Sequence, residues 1–306
     1  MMARPVSVLL VHGINVSSQD WADPLIGRIK DRLPRDLAAI THCEAAFWAN
    51  IVRPHQKNFL QRAQYAGDIR LNNSRRFALE GLGDAAAYQK TPRRFEAPYY
   101  LIQKRVREAL DRLDAKDDPN RPLIVIGHSL GCHILSSFIW DVNNIKQLSA
   151  SDIQQQDPLV EKFHDVLRSG SPFRRLDTLA GFVTMGSNMP LFTFTFERHD
   201  VTPITRARPG KAAAFPGAAL TDAQKARARW LNYFSRNDLL AYPLRPLYNM
   251  KAEETALQDI HVCSEGWLKS SPLFSPFNAI AAHTRYDRNA KVLQGTADLI
   301  RSIIEA

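Results

Sequence analysis

The pentapeptide Gly127-His128-Ser129-Leu130-Gly131 sets one small hydroxyl between two glycines. A run of β-formers, Leu123-Ile124-Val125-Ile126, stands directly before it. After it comes CHILSSFIW, a stretch that is apolar nearly all round. This order fits a serine at the tip of a tight strand-to-helix turn, where flanking glycines relieve the crowding. The hydroxyl would then stand exposed above the sheet edge. The backbone N–H of Leu130 would face an incoming carbonyl oxygen, and the following helix would add its positive end. The chemistry suggested is nucleophilic attack on an acyl carbonyl. The alternative is a turn that merely needs small residues. A serine hydroxyl is a weak nucleophile near neutral pH, so the chemical reading requires a base within hydrogen-bond reach and a carboxylate to orient that base.

The elements that must position such groups are legible as an alternation of strands and helices. Val6 to Val11 is a continuous apolar run, as expected of a strand covered on both faces. His42 to Trp48, Thr178 to Met185 and Trp230 to Phe234 are further strand candidates, with Asp259 to Cys263 a weaker one. Trp21 to Leu33 has Leu25, Ile29 and Leu33 every four residues, and Asp20 is placed to cap it. Pro98 to Leu113 has the clearest amphipathic helical spacing, and Asn289 to Ile304 closes the chain in the same manner. The pattern predicts an α/β fold, a mostly parallel sheet with helices on both faces. Two stretches break the alternation and read as insertions on a single domain spanning 1–306. Residues 53–97 hold nine Lys/Arg against four Asp/Glu, with scattered aromatics, and suit either a lid or a segment that simply packs over the sheet. Residues 191–229 open with LFTFTF, where Phe192, Phe194 and Phe196 would share one strand face, and continue through a basic, proline-punctuated loop.

With the serine turn in this context, the chain resembles a serine hydrolase of the α/β-hydrolase fold, of the lipase and esterase kind. The resemblance runs from VLLVHG to the C-terminal helix, with the two insertions outside it. It implies the chain order nucleophile, acid, histidine. Downstream of Ser129 and past any late strand, that order leaves His283, in a loop ahead of the final helix, and His261, inside the last strand candidate. His283 is the expected base. Asp238 follows the strand at 230–234 by a few residues and is the expected acid, with Asp200 the runner-up. His12-Gly13-Ile14-Asn15 at the end of the first strand resembles the family's HG motif, so the N–H groups of Ile14 and Leu130 form the implied oxyanion hole, with His12 a structural hydrogen-bonder. The motif is not of the HGGG type, which argues against that class of esterase.

Composition sets limits on the rest. The 306 residues are 45% hydrophobic and 23% charged, enough for a large core. Three distant cysteines, Cys43, Cys132 and Cys263, argue against a disulfide framework and fit a reducing, cytoplasmic setting. The net charge of +9 permits peripheral contact with an anionic membrane surface, but no nucleic-acid-binding module is recognisable. Neither zinc-type ligand spacing nor a phosphate-binding glycine loop is present in the sequence, so no cofactor and no metal are expected. The expected substrate is a small-molecule or lipid acyl compound. A carboxylic ester is the default, a thioester an alternative, and a catalytically inactive binding protein on the same fold the rival.

Overall fold

The computed structural model describes residues 4–67, 73–90, 97–114, 118–148, 170–194, 201–263 and 283–306. Six strands form one sheet: β1 (Val6–Val11), β2 (Thr41–Ala46), β3 (Leu123–His128), β4 (Leu179–Met185), β5 (Arg229–Phe234) and β6 (Leu257–His261). Their order is β2-β1-β3-β4-β5-β6, and every neighbouring pair is parallel. The chain winds outward from β1 to β2, then returns past β1 to β3 and winds the other way. A parallel sheet wound in this manner opens a crevice at the carboxyl ends of the strands where the direction reverses. Here those strands are β1 and β3, the ones that end in the HG and GHSLG sequences.

Helices cover both faces because the central strands are apolar on both. Leu9, Val11 and Val125 point to one side, where they meet α5 (Pro98–Leu113) and α6 (Leu130–Ile145) through Ile102, Val106, Leu110, Ile134 and Phe138. Val8, Leu10, Ile124 and Ile126 point to the other, where they meet α1 (Asp23–Lys30) and the closing helix α9 (Ala290–Ile304) through Leu25, Ile29, Leu293 and Ile300. Each such side chain taken fully out of water contributes about 1.5–3 kcal/mol, so the period-two pattern fixes the register of every central strand. The short helices α2 (Arg35–Ala39), α7 (Met189–Thr193) and α8 (Asp222–Arg227) occupy connections.

The stretch after β2, left unassigned by the sequence pattern, carries two helices, α3 (Ala49–Gly67) and α4 (Asn73–Ala87). Val52 and Leu60 of α3 are buried on either side of its internal Pro54. Two sequence expectations are corrected. First, LFTFTF does not begin as a strand. Pro190 presets the first turn of α7, and the Leu191 N–H bonds to the Asn188 carbonyl. Phe192 therefore stacks on His133 of α6 while Phe194 is 79% exposed; Phe196 lies outside the described residues. Second, Asp20 is not the cap of α1, which starts after Ala22 with a proline in its first turn and no side-chain cap. Among the described residues, no helix is long and apolar enough to cross a membrane.

Candidate active site

Ser129 links β3 to α6 with φ 53° and ψ −123°, a conformation that a residue with a side chain rarely adopts. The turn is held by backbone bonds on both sides: the Ser129 N–H donates to the Met185 carbonyl at 2.9 Å, and the Cys132 N–H to the Ser129 carbonyl at 3.0 Å. Its glycines are required by close approach. A Cβ on Gly131 would stand 2.2 Å from the Val11 carbonyl oxygen, and one on Gly127 would stand 2.8 Å from the backbone of Cys132. Gly13, at the end of β1, lies so near that a Cβ there would meet the Ser129 Cβ at 2.5 Å. The loop carrying Ile14 therefore sits directly beside the serine, and Leu130 opens α6 on its other side.

The structure brings together Ser129, His283 and Asp238, which are separated by 154 and 45 positions along the chain. The Ser129 Oγ lies 2.7 Å from His283 Nε2. His283 Nδ1 lies 3.0 Å from Asp238 Oδ1 and 2.9 Å from Oδ2. All three side chains are buried. Burial opposes ionisation of Asp238, but the hydrogen bond from His283, with bonds from the Leu240 N–H and the Tyr286 hydroxyl, outweighs it and carries its pKa below the ordinary value. An ionised carboxylate can only accept, so His283 carries its proton on Nδ1 and presents the Nε2 lone pair to the serine hydroxyl. No protein-family model and no curated protein matches the chain. The reading of its chemistry therefore rests on this arrangement.

Three further residues hold the set, none assigned a role by the sequence pattern. Tyr286, in the 3-10 turn Tyr286–Arg288 ahead of α9, donates its hydroxyl to Asp238 Oδ2 at 2.8 Å and accepts the Ser235 N–H at 2.9 Å. Gly186, just after β4, takes φ +63°, and a Cβ there would meet Tyr286 at 2.9 Å and both Asp238 and His283 at 3.3 Å. His128, the residue before the serine, places Nε2 2.8 Å from the His283 carbonyl oxygen. Burial, with His283 nearby, lowers the His128 pKa to about 4, so at neutral pH its uncharged ring donates that bond. Of Ser129, His283 and Asp238, only Ser129 stands in a motif; Tyr286 had no signal, because its partner is 48 positions away.

His12 is a structural group. Burial lowers its pKa to about 3. Its Nε2 accepts the Trp48 N–H at 3.1 Å, so Nδ1 holds the proton and donates to the Gly13 carbonyl at 2.7 Å. The ring also stacks on Trp48 with centroids 4.7 Å apart. His261 lies on β6, edge-on to Phe234, and makes no hydrogen bond to Ser129 or Asp238. Asp200 lies outside the described residues. Among the described residues, no cluster of three or more His, Cys, Asp or Glu is arranged to hold a metal ion.

Proposed function

We propose that the protein is a serine hydrolase of the α/β-hydrolase kind that cleaves a carboxylic ester through an acyl-enzyme on Ser129. The observation carrying this reading is the buried chain of contacts from Ser129 Oγ to His283 Nε2 at 2.7 Å and from His283 Nδ1 to Asp238 at 2.9 Å. His283 takes the hydroxyl proton as Ser129 attacks the acyl carbon. Asp238 holds the imidazole tautomer and stabilises the imidazolium. The N–H groups of Ile14 and Leu130 donate to the tetrahedral oxyanion and stabilise its charge, with the positive end of the 16-residue helix α6 behind Leu130. His283 then protonates the departing alcohol, and water repeats the sequence on the acyl-enzyme. The strained backbone at Ser129 supports the reading, because a turn that merely needed small residues would place glycine at that position.

Hydrolysis of p-nitrophenyl esters over a series of acyl lengths tests the proposal. Turnover by the wild type, abolished in Ser129→Ala, is the expected result, together with fluorophosphonate labelling of the wild type alone. A wild type that neither turns over any ester nor takes the label would overturn it in favour of a binding protein. Activity rising above the solubility limit of long-chain esters would place the substrate among lipids; preference for short chains would place it among soluble esters.

A further inference from the structure

Three polar side chains stand in a row across otherwise apolar strands. Thr184 of β4 pairs in register with Asn232 of β5, and Asn232 with Asp259 of β6. Thr184 and Asn232 are fully buried, two positions beyond the stacked rings of Phe182 and Trp230 on the same strands. Burying such groups costs stability unless each finds its partners. Here the bonds form a continuous series. The Trp230 Nε1–H donates to Thr184 Oγ1 at 3.2 Å, and the Thr184 hydroxyl donates to Asn232 Oδ1 at 2.8 Å. The Asn232 amide nitrogen gives its two hydrogens to Asp259 Oδ1 at 2.7 Å and to the Tyr242 carbonyl at 3.0 Å. Asp259 also accepts the Leu244 and Arg245 N–H groups, each at 2.8 Å. The amide is confined to one orientation, because turned over its oxygen would face two acceptors.

The row leaves the core at the loop that carries Asp238, which runs from Ser235 to Tyr242 without regular structure of its own. Tyr286 holds the near end of that loop by accepting the Ser235 N–H at 2.9 Å. At the far end, the Tyr242 N–H donates to the Ser187 carbonyl at 3.2 Å, and the Tyr242 carbonyl accepts the Asn232 amide. Ser187 follows Gly186, the residue packed most closely against Asp238 and His283 together. We propose that Asn232 is a positioning residue for the reacting centre. By holding the Tyr242 carbonyl it fixes the far end of the acid loop and so keeps Asp238 against His283, while Thr184 and Asp259 set the direction of its amide. This rests on the ester-hydrolase reading. A buried polar network with its partners in place is rigid, so the row extends the rigidity of the sheet into a loop that has none from its own backbone.

The test is Asn232→Asp, read by ester kinetics and by the downfield proton NMR signal of the His283 Nδ1–H, which reports its bond to Asp238. The substitution keeps the shape of the side chain but sets an oxygen against Asp259 and the Tyr242 carbonyl, so the end of the loop is released. With the acid misplaced, kcat falls about 10- to 100-fold while KM stays within about three-fold. The His283 signal moves upfield or broadens away; a loss of stability without displacement of Asp238 leaves it where it is in the folded protein. Should this variant not fold, the isosteric Asp259→Asn decides: it leaves one acceptor oxygen for three donors, frees the Asn232 amide to turn, and lowers kcat about three- to ten-fold with the same movement of the signal. Wild-type kcat and an unmoved signal in a folded variant, alongside inactive Ser129→Ala, overturn the proposal and leave the hydrolase reading standing. An inert wild type removes the hydrolase reading and the catalytic role of Asn232 with it, whereas the signal still reports whether Asn232 keeps Asp238 against His283.

Discussion

Replacing Tyr286 by phenylalanine removes one oxygen atom from a fully buried position and changes the shape of the side chain very little. Two bonds are lost, the 2.8 Å donation to Asp238 and the 2.9 Å acceptance from the Ser235 N–H. A hydrogen bond to a charged group is worth about 1.5–3 kcal/mol, and the Ser235 N–H, left without its partner, costs about 1–3 kcal/mol. The two losses share one oxygen and overlap, so a net destabilisation of about 3 kcal/mol is expected at pH 7. In a chain of this size that lowers Tm by roughly 5 °C. The carboxylate keeps the Leu240 N–H and His283 but gains freedom to turn, so kcat falls about ten-fold while substrate binding is unaffected.

The pH dependence follows from the sign of the Asp238 shift. Its folded pKa lies below the unfolded value of about 3.9, so its contribution is present above that value and lost as pH falls through the folded one. Losing a donor to the charged form raises the folded pKa in the variant. The charge-dependent part of the stability gap is therefore complete at neutral pH. It shrinks as pH falls first through the variant's Asp238 pKa and then through that of the wild type. Urea unfolding followed by tryptophan fluorescence, repeated over this range, measures the gap directly. A difference below about 1 kcal/mol at pH 7, with kcat within two-fold of wild type, would refute the reasoning.

Two further outcomes are expected. Asp238→Asn preserves the packing but can present an N–H to the imidazole, which stabilises the wrong tautomer; kcat of the ester reaction falls about 10⁴-fold, measured under saturating substrate. Gly131→Ala forces a methyl group to within 2.2 Å of the Val11 carbonyl oxygen and 2.7 Å of that of His12, both backbone atoms of β1 and its loop. Since neither can yield without disturbing the central strand, the loss exceeds the roughly 1–3 kcal/mol of ordinary overpacking, and a thermal melt shows it before any assay of activity.

Local pattern was enough wherever one element explains itself. The apolar run of β3, the glycine-flanked serine and the apolar α6 specify a strand, a sharp turn and a helix from side-chain periodicity and backbone freedom alone. The spacing in α5 and α9 does the same, which is why Pro98–Leu113 was read with its observed bounds. Chain order within the resemblance points to His283 and Asp238, the residues that the fold brings to Ser129, although neither stands in a distinctive motif. Where local pattern misleads, tertiary packing is the cause. LFTFTF satisfies strand alternation, yet the proline at the start of α7 and the stacking of Phe192 on His133 decide otherwise.

What only the tertiary structure decided is the set of contacts between residues far apart in the chain. The strand order β2-β1-β3-β4-β5-β6 puts the ends of β1 and β3 side by side and so brings Gly13 to Ser129 across more than a hundred residues. Tyr286 on Asp238 and His128 on the His283 carbonyl are of the same kind. A hydroxyl, an imidazole or a carboxylate looks the same in sequence whether it faces water or a buried partner. Only folding, by removing water and fixing that partner's position, gives each its role.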